Sequence, residues 1–393
     1  MEHFEIPTIR FLEKIQNQDF QIPLLAPFVT GKEEIYLKKC LQSGWITTTG
    51  EFVEAFERKI QDYTQSSYVV AVSSGTAALH LALKAVGVSE NSLVILPNIS
   101  FVASANAIHY CQAEPIFVDI SPDTWQLDEQ LLLKFLQNEC YSKGKHTFHK
   151  ATQKRISALV LVHNLGNIGN LTEIQKIAEN FNIPLVEDAA EALGSFYHQK
   201  HAGICSKVGI LSFNGNKIVT TGGGGAILTA DEKIAQKVRH WANQAKTSKE
   251  EYFHDEVGYN YRLPNPLAAI GLAQMESLDF FLARKRYIYN FYTNILFGKA
   301  IWQRTLESVE PNYWLFTALF ENSSQIAQKL QDKGIQTRKL WYPLNRLPMH
   351  KKCLYVQEND ISWEIYEKSL SLPSSVGLQE NEMEKIAEIL QKI

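Results

Sequence analysis

The chain has 393 residues, of which 45% are hydrophobic, 11% aromatic and 21% charged. That is enough apolar material for two or three packed domains at about one per 150 residues, and it excludes a disordered or fibrous protein. Thirty-nine Lys and Arg against 42 Asp and Glu leave a formal charge of −3, so there is no bulk field for nucleic acid or for an anionic membrane surface.

The first residues, MEHFEIPTIRFLEKIQNQDF, mix charged and apolar positions, without the basic start and unbroken apolar run of a signal peptide. Nowhere do about 18 apolar residues run together, which removes a membrane span. Cys40, Cys111, Cys140, Cys205 and Cys353 are scattered with no CxxC pair. Such spacing argues for a reducing, cytoplasmic setting rather than a disulfide framework.

From Tyr68 onward, short apolar runs alternate with amphipathic stretches. YVVAV (Tyr68 to Val72) precedes GTAALHLALKAVGV, in which Ala78, Leu79, Ala82, Leu83 and Val86 fall at helical spacing. LVILP, PIFVDI, ALVLVH and IPLVED are further strand-like runs, and LTEIQKIAENF reads as a crossover helix. This alternation predicts an α/β domain with a mostly parallel sheet covered on both faces. Residues Glu139 to Lys154 are polar and unpatterned and read as a surface excursion. NPLAAIGLAQMESLDFFLARKRYIYNFYTNILF predicts one long or kinked helix. After that stretch the periodicity resets: WLFTALF and IQTRKLWYP read as strands around the helix SSQIAQKLQDKG, which makes a small α+β unit beginning near residue 275. The expected division is a 1–30 extension, a 31–274 large domain and a 275–393 small domain.

Ligands in such sheets sit beyond the carboxyl ends of the strands, and three strand ends carry polar groups. In AVSSGTAALH, Gly75 permits close approach, while Thr76 and the first N–H groups of the next helix can cradle a phosphate. The same Ser and Thr residues also read as ordinary helix caps. IPLVEDAAEALGS ends its strand with Glu187 and Asp188. ILSFNGNKIVTTGGGGAILT places Lys217 in a polar bend before Gly222 to Gly225, where four glycines suggest a close approach; a solvated lysine on a flexible loop is the alternative.

Competing motifs fail. NGNK lacks the spacing of a P-loop, and no GxGxxG follows the first strand, which removes the fingerprint of a nicotinamide dehydrogenase. The pairs His146/His149 and His198/His201 read as loop residues, neither is HExxH, and no metal is expected. A phosphate cradle, a strand-end carboxylate and a later lysine together suit pyridoxal 5'-phosphate (PLP). A lysine amine condenses with the cofactor's aldehyde, and a carboxylate keeps the pyridine nitrogen protonated.

The ordered set SSGTAALHLAL, SFVASANAI, VEDAAEALGSFY, SFNGNKIVTTGGGG and GYNYRLPNPLAAIGLAQ resembles the DegT/StrS family of PLP-dependent nucleotide-sugar aminotransferases over roughly residues 24 to 375. The wording of AEALGS, FNGNKIVTTGGGG and LSLPSSVG resembles the branch that acts in legionaminic-acid and bacillosamine-type pathways. The resemblance implies an aspartate-aminotransferase-like (fold type I) structure and a homodimer that builds each site from both chains. It also implies a reaction in which glutamate gives its amino group to C4 of a UDP- or GDP-linked 4-keto-6-deoxy N-acetyl sugar.

By the same resemblance, Lys217 is the Schiff-base lysine and proton carrier, and Asp188 the pyridinium partner. Gly75, Thr76 and Ser212 hold the phosphate, Phe101 stacks on the ring, and Asn260 reaches the phosphate from the partner chain. Arg262 is a candidate for an anionic substrate group or a structural salt bridge, and Trp341 and Tyr342 approach substrate. Glu191 stands where many members have Gln beside the cofactor's phenolic oxygen, a place where a carboxylate needs a proton or a cationic neighbour. A PLP-dependent sugar dehydratase, which resembles this pattern with histidine in place of the lysine, and a non-catalytic PLP-binding regulator are the alternatives.

Overall fold

The computed structural model describes residues 20–248 and 250–392. The reading of the first residues as something other than a signal peptide, and most of the expected 1–30 extension, lie outside the described residues.

Eight strands form the path of one large sheet: β1 (Tyr68–Val72), β2 (Leu93–Pro97), β3 (Glu114–Val118), β4 (Arg155–Val162), β5 (Leu185–Asp188), β6 (Val208–Ser212), β7 (Gly225–Thr229) and β8 (Leu354–Val356). Their spatial order is β1-β7-β6-β5-β4-β2-β3-β8. Strands β6, β5, β4, β2, β3 and β8 run parallel, while β7 is antiparallel to both β6 and β1. The near-continuous Val, Ile and Leu of β2 and β4 match their burial on both faces. Apolar clusters lie on each side of the sheet. One is built on α1 (Lys32–Ser43), α2 (Glu51–Thr64), α5 (Glu129–Glu139), α6 (Leu171–Asn180) and α11 (Ile361–Lys368). The other is built on α3 (Gly75–Ala85), α4 (Ala103–Tyr110) and α7 (Glu232–Ala242).

A second, antiparallel sheet joins Ile301–Trp302, Thr317–Leu319 and Ser369–Ser371. Its cluster includes Tyr292, Phe316, Leu330, Leu370 and Ile386, supplied partly by α9 (Leu278–Leu296), α10 (Ser323–Gln331) and α12 (Glu380–Leu390). The long amphipathic stretch divides into α8 (Asn265–Met275) and α9, with Glu276 and Ser277 between them. Strand β8 lies beyond residue 275 in sequence yet extends the large sheet.

Three local expectations are corrected. Residues Glu139 to Lys154 are not an irregular excursion: Cys140–Lys143 and His146–His149 form a hairpin that pairs with β4. Gly144, at φ +63°, makes the turn, and the inward positions are Cys140, Thr147 and His149, polar types that hide the strand alternation. His146 and His149, three apart on a strand, face opposite sides. His201 lies in a short hairpin rather than a loop; it is buried and accepts from the Gly194 N–H at 2.9 Å. Finally, IQTRKLWYP is not a strand. Among the described residues its β pairing is limited to the single bridges Ile22–Ile335 and Arg338–Ser371. Side chains bond its flanks instead of a ladder, as when the Leu340 N–H donates to Ser369 Oγ at 2.9 Å.

Candidate active site

Strand β5 ends in the middle of the sheet. Because side chains alternate across a strand, its last two carboxylates point to opposite faces. Glu187 accepts from His163 Nε2 and from the Gly203 N–H, both at 2.9 Å, inside the packed interior. Burial works against the Glu187 carboxylate, but the His163 and Gly203 contacts outweigh it and leave the group below its ordinary range. Asp188 lines a cleft of about 710 Å³. Ser104 Oγ of α4 donates to its Oδ2 at 2.7 Å, and the Ala190 N–H donates to Oδ1 at 3.2 Å. Burial raises the Asp188 carboxyl above its usual value, opposed by those hydrogen bonds and by the Lys217 charge.

The helix α3 starts directly after β1. Ser74 caps it, accepting from the Ala77 N–H at 3.0 Å, so the capping reading holds for that residue. Gly75 and Thr76 open the first turn and line the same cleft, as does Ser212 at the end of β6. A Cβ on Gly75 would lie 2.8 Å from the Ser212 Cβ. Only glycine lets this turn close against the strand end, where the orphan N–H groups and dipole of α3 face the cleft. Of the four consecutive glycines, Gly225 is set by close approach, since its Cβ would meet the Ser74 carbonyl oxygen at 2.4 Å.

Lys217 occupies the loop between β6 and β7. Its Nζ lies 3.3 Å from Glu191 Oε1 and 4.2 Å from the centroid of the Trp314 ring. Glu191 Oε2 accepts from the Leu165 N–H at 2.9 Å; Leu165 has φ +59°, a left-handed conformation unusual for a leucine. Burial pushes the Glu191 carboxyl up, with Lys217 the main opposing influence. The cationic neighbour that a carboxylate at this position requires is therefore present.

Phe101 also lines the cleft and is 56% exposed, so it is not a core phenylalanine. Trp314, Trp341, Arg338 and Lys339 form part of the outer wall. Tyr342 does not belong to this lining: it packs edge-on against Trp363 and Tyr366. Asn260 is exposed and outside the cleft. Arg262 lies in a separate pocket with Arg239 and Glu57, its Nη1 reaching Asn243 Oδ1 at 3.4 Å. Glu57 is engaged by Arg239, and Arg262 forms no salt bridge among the described residues. Ser104 and Trp314 were not singled out from the sequence. Ser104 falls one helical turn after Phe101 inside SFVASANAI, a spacing that marks it, whereas NYWLF carries no periodic signal.

Amine, buried carboxylate, helix N-terminus and strand-end serine thus border one cavity, and this donor set fits PLP. Residues 29–391 match the DegT/DnrJ/EryC1/StrS aminotransferase family. The chain belongs to this family.

As a member of the DegT/DnrJ/EryC1/StrS family, it is a PLP-dependent aminotransferase with the fold type I architecture. GDP-perosamine synthase of Escherichia coli O157:H7 is 35% identical over 374 residues, covering 94% of this chain and 98% of that protein. A Campylobacter jejuni UDP-4-amino-4,6-dideoxy-N-acetyl-beta-L-altrosamine transaminase is 29% identical, covering 84% and 86%. The PLP form of Spr1654 from Streptococcus pneumoniae, assigned as a sugar aminotransferase, superposes with a TM-score of 0.84 at 25% identity, covering 94% and 98%.

Proposed function

We propose that the enzyme moves an amino group from glutamate to C4 of a nucleotide-linked 4-keto-6-deoxy hexose in the making of a bacterial surface glycan. The observation that carries this reading is the placement of Lys217, Asp188 and the α3 N-terminus around one cleft. When bound, PLP supplies an electron sink for the pair released at the donor's amino carbon.

The chain's own residues divide the remaining work. Asp188 is the carboxylate that would keep a proton on the ring nitrogen, and Ser104 fixes its orientation. Gly75, Thr76 and Ser212 would hold the phosphate. Lys217 is the amine that would hold the cofactor covalently and, once displaced from it by the substrate's amine, would carry a proton to or from the reacting carbon. Glu191 stands beside that amine, and Phe101 would cover the ring. Asn260 completes the phosphate site of a second copy in a homodimer. The five free cysteines support a reducing, cytoplasmic setting, and no described helix is long and apolar enough to cross a membrane. We divide the chain into 31–274 and 275–393, with β8 crossing back to the large sheet.

Two acceptors follow from the relatives. The 35% identity to a GDP-perosamine synthase supports a GDP-linked sugar. The transaminase whose name specifies a UDP-linked N-acetyl sugar supports the second acceptor, that of legionaminic- and bacillosamine-type pathways. The test is conversion of a panel of GDP- and UDP-linked 4-keto-6-deoxy sugars with glutamate, following 2-oxoglutarate release and the configuration of the product. Amination at C4 of one sugar class is expected. Dehydration without amino transfer, or PLP binding without turnover of any member, overturns the reading.

A further inference from the structure

Helix α9 buries a lysine, Lys285. Its Nζ makes no ion pair among the described residues; it donates to two main-chain carbonyls, Trp314 O at 2.7 Å and Ser374 O at 2.5 Å. An amine taken out of water without a counter-ion is destabilising, and burial alone pushes this one down to about 7. An apolar side chain would fill the same space without that penalty, so the two carbonyls are what the amine serves.

Both belong to segments that close the cleft. The Trp314 ring lies over Lys217 Nζ, and its Nε1–H donates to the carbonyl of Asn216, the residue before that lysine, at 2.8 Å. The Trp314 N–H donates to Asn312 Oδ1 at 2.9 Å, and Asn312 Nδ2 donates to the Glu191 and Leu193 carbonyls at 2.8 and 2.9 Å. On the other side, the Ser374 N–H donates to the carbonyl of Leu24, which lines the cleft, at 2.8 Å. The lysine therefore ties α9 to the wall segment that touches both Lys217 and the backbone of Glu191.

We propose that Lys285 is a positioning residue for the covalent site: by pinning the main chain at Trp314, it holds the indole against Lys217 and keeps that amine aimed across the cleft. The inference rests on the reading of Lys217 as the residue that takes the cofactor. Without the pin, the Trp314 segment loses a buried anchor, and Lys217 Nζ spends less time in the geometry from which it reacts.

The test follows uptake of PLP by the apoprotein, read as growth of the visible absorbance band. Lys285→Met is expected to slow uptake about tenfold, and Trp314→Leu by a similar factor. The double variant should be no slower than Trp314→Leu alone, because both changes act through one indole. Lys285→Gln, which keeps an amide donor, should recover part of the wild-type rate. If Lys285→Met loses its far-UV circular dichroism, the same cycle run with Lys285→Gln decides the matter. Wild-type uptake in a folded Lys285→Met, or losses that multiply in the double variant, overturn the inference while leaving the reading of Lys217 intact. A wild type that takes up no PLP, or a Lys217→Ala that keeps the visible band, overturns that reading and this inference with it.

Discussion

The floor of the cleft and its outer wall are built by different means. Asp188 and Ser212 end parallel neighbours β5 and β6, and Gly75 and Thr76 open a helix that springs directly from β1. Ladder hydrogen bonds fix these groups before any ligand arrives. The wall includes Trp314, Gln336 and Arg338 to Trp341, chain without regular ladders that is held by side-chain bonds such as Leu340 to Ser369. We read the contrast as a division of labour: the ladder-held floor sets the chemistry of the cofactor ring and phosphate, while the irregular wall steadies Lys217 through Trp314 and, on our proposal, meets the acceptor through Trp341.

The largest expected effect lies at the floor. Asp188→Asn keeps the shape but removes the charge, and turnover should fall roughly 100-fold, with PLP lost more readily on dialysis. Ser104→Ala should cost far less; equal losses would mean that orientation, not charge, is what the floor supplies. At the wall, Trp341→Ala is expected to raise the KM for the acceptor sugar about tenfold while the half-reaction with glutamate is unchanged. Equal damage to both half-reactions, measured in single-turnover experiments, would erase the distinction between floor and wall.

Glu191→Gln sits between the two regions. Removing a raised carboxyl beside Lys217 should shift the visible band and slow both half-reactions a few-fold; an unchanged spectrum with unchanged rates would take Glu191 out of the site. A last effect concerns stability, not rate. In the folded chain Lys285 releases its proton near pH 7, whereas in the unfolded chain it holds it to about 10.4. The unfolded state therefore binds more protons between those values, and stability rises with pH by on the order of 1 kcal/mol per unit. Lys285→Met should flatten that slope in denaturant titrations at pH 7 and 9.

The same contrast explains how far the sequence could be read. The floor announces itself because each polar group lies within a few residues of the end of an apolar run: Asp188 beyond IPLV, Ser74 to Thr76 beyond YVVAV, and Lys217 beyond ILSF. The pairing of Glu187 with His163, by comparison, depends on two neighbouring strands lying in register, which no local pattern records. The hairpin within Glu139 to Lys154 was hidden because Cys, Thr and His take the inward positions. At the wall, NYWLF and TRKLWYP owe their shape to partners far along the chain, and a strand reading of IQTRKLWYP failed for that reason. Trp314 is visible only once Asn216 and Lys285 are seen to hold it.

The loop that carries Lys217 leaves β6 and returns as β7, its neighbour in the sheet. At its neck the Phe213 N–H donates to the Gly224 carbonyl at 2.8 Å and the Thr221 N–H to the Phe213 carbonyl at 2.9 Å. Both ends of the loop are thus moored to the same rigid raft. With the main chain moored there, we propose that any travel of the Lys217 amine comes from its own methylene arm and not from the backbone that carries it.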